Sequence, residues 1–350
     1  MPGLKEESAI EIIRAAIDSG VNFIDIGYPL AKKNHGQPGD TLVKALADGY
    51  RQKVKLCGAV PAFMVNSPQD FEKALDILLN WLKADSVEFL MLGGLNRFTW
   101  PRLRELKITK SLEKALKEKK AEYTGFYFHD QYQFLRDIIQ AWDNWTFCQC
   151  QYSFIDVDHH PGYGGIKLAA DKGLAVVAVK PLLGGSLVKN IPETVARVWE
   201  KAEPERSAAE WALRWAWNHS EIATVICDLD SPVRVKEAAA IADKALPDTF
   251  DVMEELIIGK ARDAYFALKP IPCTACRGCM PSGICPNGID VPRVFEIYND
   301  AVMYNDLETG RLIFATERHD LDACTECGTC VCGKQIPITD WLKKTKKILG

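Results

Sequence analysis

Eight of the chain's twelve cysteines fall in two short runs near its carboxyl end. The first run, 273 CTACRGCMPSGICP 286, spaces its thiols C-x2-C-x2-C-x5-C, and the second, 324 CTECGTCVC 332, spaces them C-x2-C-x2-C-x-C. Three thiolates at steps of three wrap a loop around an iron-sulfur cubane, and the fourth cysteine of such a run ligates the other cluster in two-cluster ferredoxins. A zinc knuckle also uses C-x2-C pairs, with a longer spacer between them and four ligands in total. Two consecutive triads, the first closed by Cys285-Pro286, favour two [4Fe-4S] clusters over zinc and over unligated thiols. Crossed ligation places Cys273, Cys276, Cys279 and Cys332 around one cluster and Cys324, Cys327, Cys330 and Cys285 around the other. Both runs depart from the bacterial C-x2-C-x2-C-x3-C-P, the last gap being longer in the first and shorter in the second, with Gly333 in place of proline. Clusters pass electrons singly, so the tail reads as a wire.

The remaining thiols, Cys57, Cys148, Cys150 and Cys227, lie in apolar stretches and read as buried core residues. So many cysteines without a basic-then-apolar leader argue for metal or redox chemistry rather than disulfides, and for a cytoplasmic protein. A net charge of −4 makes no electrostatic case for nucleic acid. No apolar run approaches the roughly 20 residues of a membrane span. With 47% hydrophobic and 26% charged residues, the 350-residue chain has a globular composition.

Helical patterns alternate with short apolar runs from residue 5 to about 245: KEESAIEIIRAAIDSG before VNFIDIG, TLVKALADGY before VKLCGAV, DFEKALDILLNWLKAD before SVEFLMLGG, and so on to AAEWALRWAWNH before ATVICDLD. Periodic helices between near-continuous apolar strands are the pattern of βα units in a buried parallel sheet. Seven such strands without a long gap predict an α/β fold of the closed (β/α) TIM-type barrel class, one strand short. Two further helices follow, and 269 KPIP 272 breaks the pattern, so the expected domains are 1–269, the barrel, and 270–350, a small ferredoxin-like iron-sulfur domain with a helix between its cysteine runs.

The stretches 21 VNFIDIGYPL 30, GFYFHD, FCQCQYSF and VVAVKPLLGGSL, with the cysteine tail, resemble an aldo/keto reductase barrel fused to a ferredoxin-type domain. Members of that family reduce carbonyls with NADPH through an aspartate, a proton-donating tyrosine, a lysine and a histidine. The resemblance puts the aspartate at Asp25, but Leu30, Ala59 and Gly93 stand in the other three places. Tyr28, with Lys32 or Lys33, is the alternative for a shifted acid. For the cofactor, the resemblance implies Gln149 at the nicotinamide and Gly184 and Gly185 near phosphate. Against NADPH stand Asp228 and Asp230 near the pyrophosphate and Ala238 near the adenine, with Arg234 the remaining cation.

The expected function is therefore an iron-sulfur electron-transfer protein or subunit of a larger redox complex, with a catalytically degenerate barrel as scaffold. The alternative is an NAD(P)H-dependent oxidoreductase that passes electrons through the clusters. The resemblance implies an opening hairpin and a first strand that find no match ahead of Lys5, so two strand edges are expected to be covered by a redox partner, by a homo-oligomer contact or by residues upstream of the given start.

Overall fold

The computed structural model describes residues 5–29, 38–158, 161–280 and 285–350. Its elements run α1 Glu6–Asp18, β1 Phe23–Gly27, α2 Pro38–Ala45, β2 Lys55–Pro61, α3 Pro68–Leu82, β3 Val87–Leu95, α4 Thr99–Glu105, α5 Ile108–Lys117 and β4 Ala121–Phe128. Then follow α6 Tyr132–Gln140, β5 Phe147–Gln151, α7 Gly162–Asp171, β6 Ala175–Val179, α8 Glu193–Trp199, α9 Ala208–Trp217, β7 Ile222–Ile226 and α10 Pro232–Ala242. The remaining helices are α11 Val252–Ala267, α12 Val291–Met303, α13 Leu307–Thr316 and α14 Ile338–Leu349.

The seven strands form one parallel sheet in chain order, β1 to β7, and among the described residues β7 has no ladder with β1. The central strands carry apolar residues on both faces because helices cover one side and the lumen fills the other. Thus β2 is buried after Lys55 and β5 until Gln151, whereas every residue of β1 is only half-buried. Inward side chains Cys57, Ala59, Met91, Phe147, Val177 and Val179 pack as the lumen core. Gly125 belongs to that packing: a Cβ there would stand 2.5 Å from Cδ1 of Phe147 and 2.4 Å from its carbonyl oxygen, so β4 needs glycine where the Phe147 ring crosses it.

The helices start where local chemistry dictates. Ser67 and Ser231 each accept the backbone N–H three residues on, with proline in the first turn of α3 and α10. In α3 the stripe Phe71, Leu75, Leu78, Leu82 at helical spacing faces the core. Asp251 and Glu254 close a capping box at the head of α11.

Two compact units result, one comprising residues up to Gly184 with Glu210–Phe250, the other Gly185–Ala209 with Asp251–Gly350. The division of the compact units falls ahead of α11, which packs on α8 within the second unit. From Asp251 onward the described residues hold helices and no strand, so the expected ferredoxin-like fold is not what the tail displays. Its core is Ile271, Phe295, Tyr298, Phe314 and Leu342 from packed helices and their connections. Among the described residues no helix is long and apolar enough to cross a membrane.

Candidate functional site

At the carboxyl end of β1 the chain turns at Gly27, whose φ of +60° returns its N–H to Asp25 Oδ1 at 2.8 Å. Across the lumen, β5 presents Gln149, whose Nε2 donates to Asp25 Oδ2 at 3.0 Å and approaches Cys57 Sγ at 3.7 Å. Gln149 is buried, and its Nε2 serves this internal contact. Burial pushes the Asp25 carboxyl above the usual range; the two N–H donors pull it back, and the charge of Asp228 adds to the rise. Burial also lifts the Cys57 thiol well above its ordinary value, with Asp25 adding to it. The group is a carboxyl drawn toward its neutral form beside an inert thiol.

Two phenols lie near this end of the barrel. Tyr28, the residue after Gly27, has a buried hydroxyl with no hydrogen-bond partner among the described residues, and burial raises its pKa. Tyr127 of β4 is in register with Gln149, packs against the lumen core, and is pushed up to about 12, chiefly by burial. Sequence reasoning passed over Tyr127; its signal was its place two residues after Gly125 on the same face of β4.

The positions that the resemblance assigns to lysine and histidine are neighbours: a Cβ at Gly93 would stand 3.5 Å from the Cβ of Ala59. Neither brings a titratable group. Leu30, Lys32 and Lys33 lie outside the described residues.

Around the expected phosphate position, Gly184 has φ +67° and nothing within 4 Å of where a Cβ would be, so its backbone is open to close approach. In the other unit, Gly185 has Lys189 over it, Nζ lying 3.2 Å from where a Cβ would be. The backbone N–H of Lys189 donates to the Gly185 carbonyl, so one helical turn brings a cation that sequence reasoning missed. Arg234 is spent on Asp230, at 2.9 Å, one turn away in the exposed start of α10. That pairing relieves one of the two carboxylates counted against a phosphate.

In the tail, the thiols of Cys273, Cys276, Cys279 and Cys332 act electrostatically on one another, as do those of Cys285, Cys324, Cys327 and Cys330. The chain turns through left-handed residues Ala275, Arg277 and Glu326, and backbone N–H groups reach sulfur: Ala275 N to Cys273 at 3.4 Å and Lys334 N to Cys332 at 3.4 Å. The Gly278 N–H lowers the Cys276 thiol, and the Thr329 hydroxyl, 3.1 Å away, lowers Cys327. Burial lifts Cys279 to about 11. Yet among the described residues no group of three or more His, Cys, Asp or Glu side chains is disposed to hold a metal ion. The expectation of two [4Fe-4S] clusters is corrected on this finding: the thiols are neighbours without the convergence that a cubane requires.

The profile of the aldo/keto reductase family matches residues 2–256. Among solved structures, an aldo-keto reductase from Bacillus halodurans, AKR11C1 in its holo form, superposes with a TM-score of 0.61 at 22% identity, covering 74% of this chain and 88% of its own. An aldo-keto reductase from Klebsiella pneumoniae in complex with NADPH gives 0.59 at 18%, covering 73% and 84%. The thermostable aldo-keto reductase Tm1743, in complex with the inhibitor epalrestat, gives 0.59 at 17%, covering 73% and 88%. At these identities the likeness is one of fold. No curated protein matches the sequence.

Proposed function

The chain belongs to the aldo/keto reductase family, and from that premise we propose that its barrel is an NAD(P)H-dependent oxidoreductase in which Tyr28 supplies the proton. The observation that carries the reading is the buried Tyr28 hydroxyl, a donor without an acceptor among the described residues, at the carboxyl end of β1. Buried donors are ordinarily paired, and this one lies at the carboxyl end of a strand, the face where barrel enzymes keep their chemistry.

NAD(P)H, when bound, supplies a hydride to the carbonyl carbon. As the C=O π bond breaks, the carbonyl oxygen takes the Tyr28 proton, leaving an alcohol and a phenolate that regains its proton from solvent. Burial keeps the phenol protonated before the step. It also makes the proton harder to give, and neither Ala59 nor Gly93 offers a charge to ease it.

For the cofactor, the residue that fits a close approach of phosphate in the barrel unit is Gly184, whose backbone is open. That the Klebsiella pneumoniae neighbour is in complex with NADPH supports a nicotinamide cofactor for this barrel. Gln149, committed to Asp25, serves here as the clamp on that carboxyl rather than as a nicotinamide ligand.

A second reading, a barrel that keeps the fold and has lost carbonyl reduction, is favoured by the apolar pair Ala59 and Gly93. Equilibrium titration of NADPH fluorescence, followed by NADPH oxidation across a panel of aldehydes and ketones, separates the two. Saturable binding with substrate-dependent oxidation is the expected result. Binding without oxidation supports the second reading, and no binding at millimolar protein and cofactor overturns the first.

A further inference from the structure

The amino ends of five consecutive strands hold a feature that the oxidoreductase reading does not use. A cavity of about 380 Å³ opens among Lys55 of β2, Phe89 of β3, Tyr123 of β4, Phe147 of β5 and Ala175 of β6. It adjoins a wider hollow of about 600 Å³ that shares Lys55 and Glu122 and reaches Lys119. In barrels of this type the chemistry belongs to the opposite, carboxyl, face.

The floor is aromatic. The Phe89 ring centroid lies 5.1 Å from that of Phe23 and 5.4 Å from that of Phe147, both edge-on, and 5.0 Å from Tyr123 in a stacked pair tilted by 27°. Tyr123 is 39% exposed, so the stack ends in a ring open to solvent. An open aromatic surface of this kind takes a further ring by offset stacking or edge contact.

The rim is cationic on balance. Among the described residues neither Lys55 nor Lys119 has an ion-pair partner, whereas Glu88 is held by Arg51 at 3.0 Å and by the Leu56 N–H at 2.8 Å. Glu122 takes the hydroxyl of Tyr123, which raises that phenol's pKa. Two uncommitted ammonium groups therefore face one carboxylate that already has a donor. Volume, rings and charge converge on one ligand chemistry. We infer that the amino-terminal mouth of the barrel is a second binding site, for a flat aromatic anion whose ring continues the Phe89–Tyr123 stack and whose acidic group meets Lys55 and Lys119.

The test uses 8-anilinonaphthalene-1-sulfonate as probe on the full chain, read by fluorescence titration, with N-phenyl-1-naphthylamine as its uncharged counterpart. One equivalent of the sulfonate should bind. Lys55→Glu should weaken it about tenfold or more, the scale of one lost charge-assisted contact. Lys119→Ala should weaken it by a smaller factor, and Ala175→Trp, which fills the cavity, should abolish it. Lys236→Glu on α10 should leave the affinity unchanged. The neutral probe should bind at least about tenfold more weakly, for the same charge-based reason. Far-UV circular dichroism and a thermal melt certify each variant's fold. Sulfonate affinity unmoved by Lys55→Glu and Ala175→Trp in folded variants, or equal affinity for the neutral probe, overturns the assignment. Bound NADPH should not compete, and competition would place the probe at the other end of the barrel.

Discussion

The barrel and the tail use the same side chain under opposite conditions. In the barrel, Cys57, Cys148 and Cys150 are buried, and burial lifts Cys57 well above its ordinary pKa and Cys227 to about 12. Cys150 is raised well above its ordinary value by its contact with Cys148 first and by burial second. In the tail, Cys276 and Cys327 are exposed, and N–H and hydroxyl donors pull their thiols below the ordinary value. The difference shows that a cysteine's chemistry is set by who donates to its sulfur and how much water reaches it, not by its neighbours in sequence. Cys148 and Cys150 are as close in the chain as any pair in the tail, yet a strand between two apolar layers makes them inert.

The largest effect expected from that contrast is in alkylation. With reduced protein and iodoacetamide at neutral pH, Cys276 and Cys327 should react first and Cys227 about 10³-fold more slowly, since the thiolate fraction falls tenfold for each unit of pKa. Peptide mapping by mass spectrometry reads the order. Because their pKa values are lowered, the two tail thiols should keep reacting as pH falls below the ordinary thiol range, while Cys227 should gain rate only toward pH 12. Equal rates for Cys276 and Cys57 in the folded chain would break the contrast.

Packing gives a middle-sized effect, confined to the barrel. Gly125→Ala places a methyl against the Phe147 ring and carbonyl and should cost about 1–3 kcal/mol, the scale of an overpacked core. Gly333→Ala in the tail meets nothing within 4 Å and should leave stability near that of the parent. Urea unfolding followed by circular dichroism compares the two, and equal losses would deny the tight lumen.

The smallest effect is electrostatic. Asp25 is raised in the folded state, so ionisation favours unfolding: its penalty is absent below the ordinary carboxylate pKa and grows until pH passes the raised folded value. Asp25→Asn should therefore gain stability relative to the parent as pH rises from 3 to 7. A gain that is flat with pH, or that appears only in acid, would contradict the burial argument.

Much of this architecture was legible. Strands buried on both faces write continuous apolar runs such as FCQCQ and AVVAV, and the seven predicted strands correspond to β1 through β7. The unit boundary was not legible, because α11 has an ordinary helical sequence and only its packing on α8 assigns it to the second unit. In the same way α13 and α14 gave no warning of the helical core that they form with α12. At the site, Asp25 and Gln149 were read from the resemblance, but their contact spans 124 residues and no local pattern announces it. Cysteine spacing proposed two sets of four, and the electrostatic neighbourhoods fall into those sets; whether sulfurs converge on a metal depends on loop geometry that spacing does not encode.

In the proposed reaction Tyr28 gives the proton. Steady-state NADPH oxidation with the best carbonyl of the panel, measured for the parent and for Tyr28→Phe beside the affinity of each for NADPH, tests it most directly. Unchanged NADPH affinity and a kcat lower by about 10²- to 10⁴-fold, the contribution of one general acid, are expected. A kcat that survives Tyr28→Phe, with NADPH still bound, would contradict it and turn attention to Tyr127.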